Sequence, residues 1–304
     1  MHPIDEVKVV KEALEKAGIE DAYREAELIV SHTLGINRAT FYRDNRPIPE
    51  PIVLKIDAVV QRRVTREPLH YILGYAEFCG LKIKVGRGVL IPRPETELLV
   101  QEAIKMFGTQ KGDLHSPIDL APGKTGNREV RMLDLCTGSG CIALALGKAF
   151  PDAEIYGTDT SETAIAFAEE NAGINNLGNV IFLKGSLFEP IKALFASRWS
   201  PAIFDVIISN PPYIQSRDIE NLQPEIREWE PAAALDGGGD GLDYYRMIIP
   251  EAGNYLGEDG LLILEIGISQ AGQIKEMAEN AGFLSVSLVN DYAGIERILI
   301  ARKE

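Results

Sequence analysis

The feature that most constrains the fold is a regular alternation of short apolar runs with helical patterns after residue 129. Seven runs rich in β-branched and other apolar residues predict strands, at 130–136, 153–159, 180–185, 204–209, 260–266, 285–290 and 297–302. Amphipathic patterns between them predict helices, at 141–149, 161–172, 241–256 and 269–281. This alternation is typical of a largely parallel sheet covered by helices on both faces, so the expected fold class is α/β and doubly wound.

Residues 1–70 are patterned differently from the rest of the chain. Their apolar residues recur at helical spacing and predict three short helices, which we assign to a small helical domain. In residues 71–92 the stretch "YILGYAEFCGLKIKV" alternates around Gly80, which predicts a connecting β-hairpin. The α/β domain is then expected to span 93–304.

Two segments precede the first predicted strand of the α/β domain. Pro94 is suited to the first turn of a helix, which is predicted to run to about Phe107. Residues 108–128 carry four glycines and two prolines without periodicity, which predicts a loop.

The composition argues against two kinds of site. A formal net charge of −14 disfavours a broad phosphate-binding surface, so we expect no direct contact with nucleic acid. Three cysteines and four histidines are scattered without the spacing of metal ligands, so no metal is expected.

The sequence also indicates a compartment. Its N-terminus, "MHPIDEVKVVKEAL", has mixed charge and lacks the apolar core of a signal peptide. No apolar run approaches the ~20 residues that a membrane-spanning helix needs. We therefore expect a cytoplasmic protein without membrane association.

The turn after the first predicted strand, "LDLCTGSGC", is the first candidate binding site. Gly138 and Gly140 allow the backbone to approach a ligand closely, and a helix N-terminus follows at once. Asp159 ends the second strand, where a carboxylate can accept hydrogen bonds from the hydroxyls of a ribose. Gly138, Gly140 and Ala143 equally satisfy a dinucleotide-binding pattern, so these residues alone leave a nicotinamide-dependent dehydrogenase open.

The stretch "IISNPPYIQ" at 207–215 ends the fourth strand with two prolines that cannot donate backbone hydrogen bonds. The side-chain oxygen of Asn210 and the carbonyl of Pro211 form a pair of acceptors, which we call the amide clamp. Such a pair can hold both N–H groups of a primary amide or exocyclic amine and stabilise positive charge that develops on the nitrogen. Tyr213 can pack its ring on the planar group that is held.

Together, "FDVIISNPPYI", "LDLCTGSGCIALAL" and "LIPRPETELLV" resemble the HemK-like protein glutamine methyltransferases, and the resemblance covers nearly the whole chain. It implies methyl transfer from S-adenosylmethionine to the side-chain amide nitrogen of the glutamine in the Gly-Gly-Gln loop of peptide chain release factors. It also implies a class I methyltransferase fold, with seven strands of which the last is antiparallel. The helical domain at 1–70 is then expected to recognise the protein substrate.

The resemblance also implies roles for individual residues. The substrate-amide motif corresponds to four catalytic residues, Asn210, Pro211, Pro212 and Tyr213. The donor-binding residues are Thr137, Gly138, Ser139, Gly140, Cys141, Asp159 and Leu187, together with Asn210, which we count in both sites. The run from Pro92 to Glu97 is expected to form part of the pocket wall.

This chain departs from the common pattern at two places. Cys136 stands where many class I enzymes have the first glycine of the loop, so the turn must be made without it. Ser186 and Leu187 stand where relatives commonly have an aspartate followed by a larger residue, which weakens the assignment of the adenine contacts.

Rival functions come from several classes. N6-adenine methyltransferases use a similar motif on nucleic acid, and a sibling group methylates a glutamine of a ribosomal protein. A dehydrogenase ranks lower because nothing after the second strand resembles a hydride-transfer site. A non-catalytic binding module ranks last because it would not need an amide clamp beside a cofactor loop.

Overall fold

The computed structural model describes residues 2–36, 38–43, 46–110, 130–196 and 203–303. The chain divides into two compact units. The first runs from the N-terminus to Tyr75 and also includes Gln223–Trp229, and the second consists of Ala76–Leu222 and Glu230–Glu304. The sequence did not indicate that a segment after residue 220 belongs with the N-terminal helices.

The first unit is helical. Its helices are α1 (Pro3–Lys16), α2 (Ala22–Leu34), α3 (Arg38–Arg43), α4 (Glu50–Val64), α5 (Leu69–Leu73) and the short α10 (Pro224–Arg227). The three predicted helices correspond to α1, α2 and α4. The others have four to six residues, too few for helical periodicity to appear in the sequence.

Apolar side chains of α1, α2 and α4 form the core of this unit. Apolar residues three and four positions apart lie on one face of each helix, and this face points inward. Four of them are fully buried, namely Leu14, Ala26, Ile29 and Ile56. Ile4, the first of the apolar residues at helical spacing Ile4, Val7, Val10 and Leu14, is instead 45% exposed. Val7, Val10 and Leu14 are buried as their spacing predicts.

A partly buried ion-pair network holds the 223–229 segment within the first unit. Arg63 on α4, whose side chain is only 5% exposed, donates to both carboxylate oxygens of Glu25 and to Oε1 of Glu225. Arg66 donates to the second oxygen of Glu225 at 2.8 Å. Although burial opposes it, these hydrogen bonds and charges lower the pKa of Glu225. Ion pairs thereby tie the segment to the N-terminal helices.

The predicted hairpin is shorter than the sequence suggested. Its strands are β1 (Tyr75–Phe78) and β2 (Leu81–Lys84), and they turn at Gly80 as expected. Residues 71–73, which we assigned to the hairpin, belong to helix α5 instead. Gly74 ends α5 in the left-handed conformation with φ 82°. The β-propensity of Tyr71 and Ile72 therefore misled the prediction.

The second unit contains a seven-stranded sheet. Its strands are β3 (Arg131–Leu135), β4 (Glu154–Asp159), β5 (Val180–Lys184), β6 (Phe204–Ser209), β7 (Leu256–Glu265), β8 (Ser285–Asn290) and β9 (Glu296–Arg302). They lie in the order β5-β4-β3-β6-β7-β9-β8. β9 runs antiparallel to both of its neighbours, and the remaining pairs are parallel. The predicted doubly wound α/β fold, with seven strands of which the last is antiparallel, is confirmed.

Helices cover the sheet. They are α6 (Pro94–Gln110), α7 (Cys141–Ala149), α8 (Glu162–Asn175), α9 (Glu189–Phe195), α11 (Asp243–Tyr255) and α12 (Ala271–Asn280), of which α9 was not predicted. Leu133, Ile207 and Ile263 on the central strands are fully buried, as expected for a parallel sheet packed on both faces. Of the predicted loop 108–128, the first three residues belong to α6 and the rest lies outside the described residues. Within the described ranges, no helix is both long enough and apolar enough to cross a membrane.

Candidate active site

The register of the sheet brings the ends of four strands together. Leu135 at the end of β3 pairs with Thr158 on β4 and with Ser209 on β6, and Ser209 pairs with Leu264 on β7. The Ser209 hydroxyl also donates to the carbonyl of Leu135 at 2.7 Å. The residues that follow these positions must therefore be neighbours. The strand order reverses here, where open α/β sheets bind ligands.

The loop after β3 is built from residues in the left-handed conformation. Cys136 has φ 58°, Gly138 has φ 55° and Gly140 has φ 80°. At Gly140 a Cβ would lie 2.9 Å from the Cβ of Ala168, so glycine allows α7 to pack closely on α8. Cys136 makes the turn despite its side chain, which resolves the departure noted in the sequence at the cost of some backbone strain.

Asp134 anchors this loop from within β3. Its Oδ2 accepts hydrogen bonds from the Thr137 hydroxyl at 2.5 Å and from the backbone N–H of Ala143 at 3.2 Å. The side chain is fully buried, and burial raises the pKa of Asp134 to about 7. The carboxyl group thus ties the start of α7 to the end of β3.

Asp159 fixes the same loop from β4. Its Oδ2 accepts from the backbone N–H of Gly138 at 2.9 Å, and its Oδ1 accepts from the backbone N–H of Ser161 at 2.8 Å. Each carboxylate oxygen can accept more than one hydrogen bond, so Asp159 retains capacity for ligand hydroxyls. The predicted acid therefore has two tasks, because it holds the loop and borders the cavity.

A cavity of about 230 Å³ lies at this edge of the sheet, many times the space that one ordered water needs. Eleven of the residues singled out in the sequence line it, namely Pro92, Cys136, Thr137, Gly138, Ser139, Cys141, Asp159, Ser186, Leu187, Asn210 and Pro212. Gly140, Pro211 and Tyr213 are not part of its wall. Of the run 92–97, Arg93 and Thr96 also line it. The cavity thus joins the predicted donor site to Asn210.

Asn210 is held by a chain of hydrogen bonds that the sequence did not reveal. Its Nδ2 donates to the hydroxyl of Thr96 on α6 at 3.1 Å. The Thr96 hydroxyl in turn donates to Oε2 of Glu265, at the end of β7, at 2.7 Å. Thr96 and Glu265 are 2% and 3% exposed. Burial raises the pKa of Glu265 to about 7, against the opposing effects of Thr96 and Arg297.

Tyr213 is oriented by Glu265 and Gln270. Its hydroxyl lies 3.4 Å from Oε1 of Glu265, and burial raises the pKa of Tyr213 to about 12. Its carbonyl accepts from Nε2 of Gln270 at 2.9 Å. Tyr213 is not part of the cavity wall. Stacking of its ring on a substrate group therefore stays a prediction from the sequence.

The glycine-rich stretch "LDGGGDGL" at 235–242 supports the segment after β6. The backbone N–H of Ile214 donates to Leu235, and the N–H of Gly237 donates back to Ile214. A Cβ at Gly237 would lie 2.8 Å from the carbonyl oxygen of Pro212, and one at Gly241 would lie 2.4 Å from that of Tyr213. Glycine is needed at both positions so that the two segments can lie side by side.

Glu265 and Gln270 were missed as functional residues, and Thr96 was expected only as part of the pocket wall, because the contacts of all three depend on packing between distant parts of the chain. One signal was available in the sequence. Glu265 is a charged residue that directly follows four apolar residues of a buried strand. A buried carboxylate must have partners, which indicates a site. Within the described ranges, no cluster of three or more His, Cys, Asp or Glu side chains could hold a metal ion.

Comparisons with known proteins match both units. Residues 7–74 match the family described as PrmC N-terminal domain, and residues 127–285 match a family described as methyltransferase domain. A release factor glutamine methyltransferase of Thermodesulfovibrio yellowstonii is 46% identical over 280 residues, which cover 92% of this chain and 92% of the relative. One from Geobacter sulfurreducens is 41% identical over 290 residues, covering 95% of this chain and 92% of the relative.

Solved structures agree on the fold. The N-terminal domain of human METTL16 is similar with a TM-score of 0.51 and 18% identity, covering 84% of this chain and 83% of that one. At this identity the likeness concerns the fold alone. The sequence relatives, by contrast, are 46% and 41% identical over at least 92% of this chain, and the chain therefore belongs to the release factor glutamine methyltransferase family, whose members are enzymes.

Proposed function

We propose that this chain transfers a methyl group from S-adenosylmethionine to the side-chain amide nitrogen of the glutamine in the Gly-Gly-Gln loop of a peptide chain release factor. The observation that carries this proposal is the cavity in which the loop after β3, Asp159 and Asn210 meet. A methyl donor and an amide nitrogen must share one site for transfer to occur between them. Because the proposed substrate acts in translation termination, we place the reaction in the cytoplasm.

The residues of the cavity fit the proposed donor. Thr137 to Cys141 would surround its methionine part, Asp159 would accept from its ribose hydroxyls, and Leu187 would lie against its adenine. Two features support this assignment. A Cβ at Gly138 would meet open space, and the buried Thr158 hydroxyl in the cavity wall has no hydrogen-bond partner among the described residues. When bound, S-adenosylmethionine supplies an electrophilic methyl carbon on a positively charged sulfur.

The amide clamp supplies the other half of the reaction. A primary amide nitrogen is a weak nucleophile because its lone pair is delocalised, so the protein must orient it and stabilise the charge that develops on it. Asn210 Oδ1 and the carbonyl of Pro211 would each accept one amide N–H. The described residues place no hydrogen-bond donor on the Pro211 carbonyl, which supports its role as an acceptor. Acceptors fixed before reaction stabilise the transition state without reorganisation.

The substrate is tested by methyl labelling. The enzyme is incubated with labelled S-adenosylmethionine and with a release factor, a ribosomal protein or DNA in separate reactions, followed by mapping of the label. We expect label on the release factor. Label confined to a ribosomal protein would move the assignment to the sibling group, and label confined to adenine would overturn it, since an exocyclic amine presents the same two donors.

We further propose that the helical unit contacts the protein substrate. Binding energy from parts of a substrate remote from the reacting group can position that group, and a separate helical unit offers surface for this purpose. Addition of the release factor to the full-length enzyme is expected to slow amide hydrogen exchange in α1, α2 or α4, while addition of S-adenosylmethionine alone is not. Slower exchange confined to the second unit would contradict this role.

A further inference from the structure

Asn210 can serve as an acceptor only if its planar amide is held in one of two orientations. With Oδ1 toward the cavity, the group accepts a substrate N–H. With Nδ2 toward the cavity, the Asn210 amide points an N–H donor at the N–H donor of the substrate, which opposes binding. The two orientations have nearly the same shape, so packing alone distinguishes them poorly. Hydrogen bonding must select between them.

The chain of three residues behind Asn210 has a fixed direction. A carboxylate can only accept hydrogen bonds, so Glu265 Oε2 takes the single hydroxyl proton of Thr96. The Thr96 oxygen is then left with lone pairs alone, and it accepts from Nδ2 of Asn210. Since Nδ2 faces Thr96, the oxygen of the same amide is turned to the other side.

The fold places the three groups together from separate elements. Asn210 follows β6 and Glu265 ends β7, and the pairing of Ser209 with Leu264 makes the two residues neighbours across the sheet. Thr96 comes from the first turn of α6 and reaches both of them. All three are wholly or largely shielded from solvent, where a hydrogen bond is stronger and an unpaired polar group is costly.

We propose that Thr96 and Glu265 are positioning residues that fix the Asn210 amide with Oδ1 toward the cavity. This inference rests on the proposed function, because it assumes that the group held by Asn210 offers N–H donors. Glu265 is not part of the cavity wall, and Thr96 borders the cavity beside Asn210. They act through the orientation of Asn210, and Glu265 must be ionised to keep the direction of the chain.

The charged surroundings of Glu265 bear on that last requirement. Arg297 on β9 favours the ionised form, while burial and Glu95 on α6 oppose it. The hydroxyl of Tyr213 faces the same carboxyl group, and the hydroxyl of Tyr245 donates to the backbone carbonyl of Glu265 at 2.8 Å. A protonated Glu265 could donate to Thr96 and reverse the chain of hydrogen bonds.

The matched pair Thr96→Val and Thr96→Ser tests the proposal. Valine keeps the shape and removes the hydroxyl, whereas serine keeps the hydroxyl. We expect Thr96→Val to lower kcat roughly 10–100-fold, by analogy with the loss of a hydrogen-bond partner that orients a metal ligand, with the KM for S-adenosylmethionine unchanged. Thr96→Ser should restore kcat to near the parental value. A parental kcat in Thr96→Val would overturn the proposal.

The pH profile of kcat gives a readout that a purely structural role would not move. At saturating S-adenosylmethionine, parental kcat is expected to fall as the pH drops through about 7, the pKa of Glu265. Saturation with donor separates this effect from Asp134, which acts on the donor loop. Glu265→Gln should have a lower kcat without that inflection. Retention of the inflection in this variant would count against the proposal.

A measurement without substrate keeps this inference separate from the proposed function. With asparagine labelled by ¹⁵N, the side-chain NH₂ of Asn210 should exchange slowly with solvent in the parent and in Thr96→Ser, and faster in Thr96→Val. Equal exchange in all three would overturn the hydrogen-bond chain even if release factor methylation holds. If the parental enzyme does not methylate a release factor, the proposed function is wrong, but the exchange measurement still tests the hydrogen-bond chain.

Discussion

Replacing Asn210 by alanine is expected to lower turnover by roughly 10²-fold or more, because it removes one acceptor that is fixed in place before the transition state. Donor affinity should stay near the parental value, since Asp159 and the loop after β3 provide most of the proposed donor contacts. The measurements are kcat at saturating release factor and isothermal titration with S-adenosylmethionine.

Asn210→Asp is the matched control for this experiment. It keeps an oxygen acceptor but loses the donor to Thr96, and it places a second carboxyl group beside Glu265. We therefore expect activity between those of the alanine variant and the parent. Methylation by Asn210→Ala at the parental rate would show that the amide clamp is not the site of acceptor binding.

Asp159→Ala is expected to cause the second large effect, a loss of affinity for S-adenosylmethionine. Two charge-assisted hydrogen bonds to the ribose, each about 1.5–3 kcal/mol, correspond together to roughly 10²–10⁴-fold in affinity. The variant also leaves the backbone N–H groups of Gly138 and Ser161 without their carboxylate partner, which should loosen the loop. Isothermal titration measures the change.

Asp159→Asn separates the two contributions to this loss. It keeps the size of the side chain, but its NH₂ group cannot accept from Gly138 or Ser161, so affinity should fall by an intermediate amount. A neighbouring acid outside the cavity wall, Glu162→Ala, serves as the control and should bind like the parent. Unchanged donor affinity in Asp159→Ala would contradict the assignment of the donor site.

The sheet was predictable from the sequence because each parallel strand is a short apolar run. Strand β7 shows where this signal ends, since it begins at Leu256 rather than at residue 260. Residues 257–259, "GED", are typical of a turn and are exposed or half-exposed. They belong to the strand because Leu256, which precedes them, pairs with Phe204 on β6. Pairing between strands, rather than local composition, decides the boundary there.

The two halves of the candidate site could be predicted because each lies directly after a predicted strand. Their support could not be predicted. Thr96 and Glu265 are separated by 169 residues, and only the packing of α6 on the end of β7 brings them together. Likewise, nothing local in "QPEIREW" indicates that Glu225 pairs with Arg63 and Arg66 in the helical unit. Contacts between distant segments leave no periodic pattern in a sequence.

The association of Gln223–Trp229 with the helical unit affects how that unit can be studied. Removal of residues 1–70 would take away Arg63 and Arg66 and leave Glu225 without its partners. Loss of activity in such a truncated chain would therefore combine the loss of the proposed substrate contacts with disruption of the segment that contains Glu225. Hydrogen exchange on the full-length chain avoids this ambiguity.

The proposed function requires the amide clamp to hold a glutamine side-chain amide beside the methyl donor. Its most direct test is tandem mass spectrometry of a release factor after reaction with the enzyme and S-adenosylmethionine, beside a matched release factor whose Gly-Gly-Gln glutamine is replaced by glutamate. We expect one methyl group on the side-chain nitrogen of that glutamine and none on the glutamate variant. Equal methylation of both release factors, or a methyl group at another residue, would contradict it.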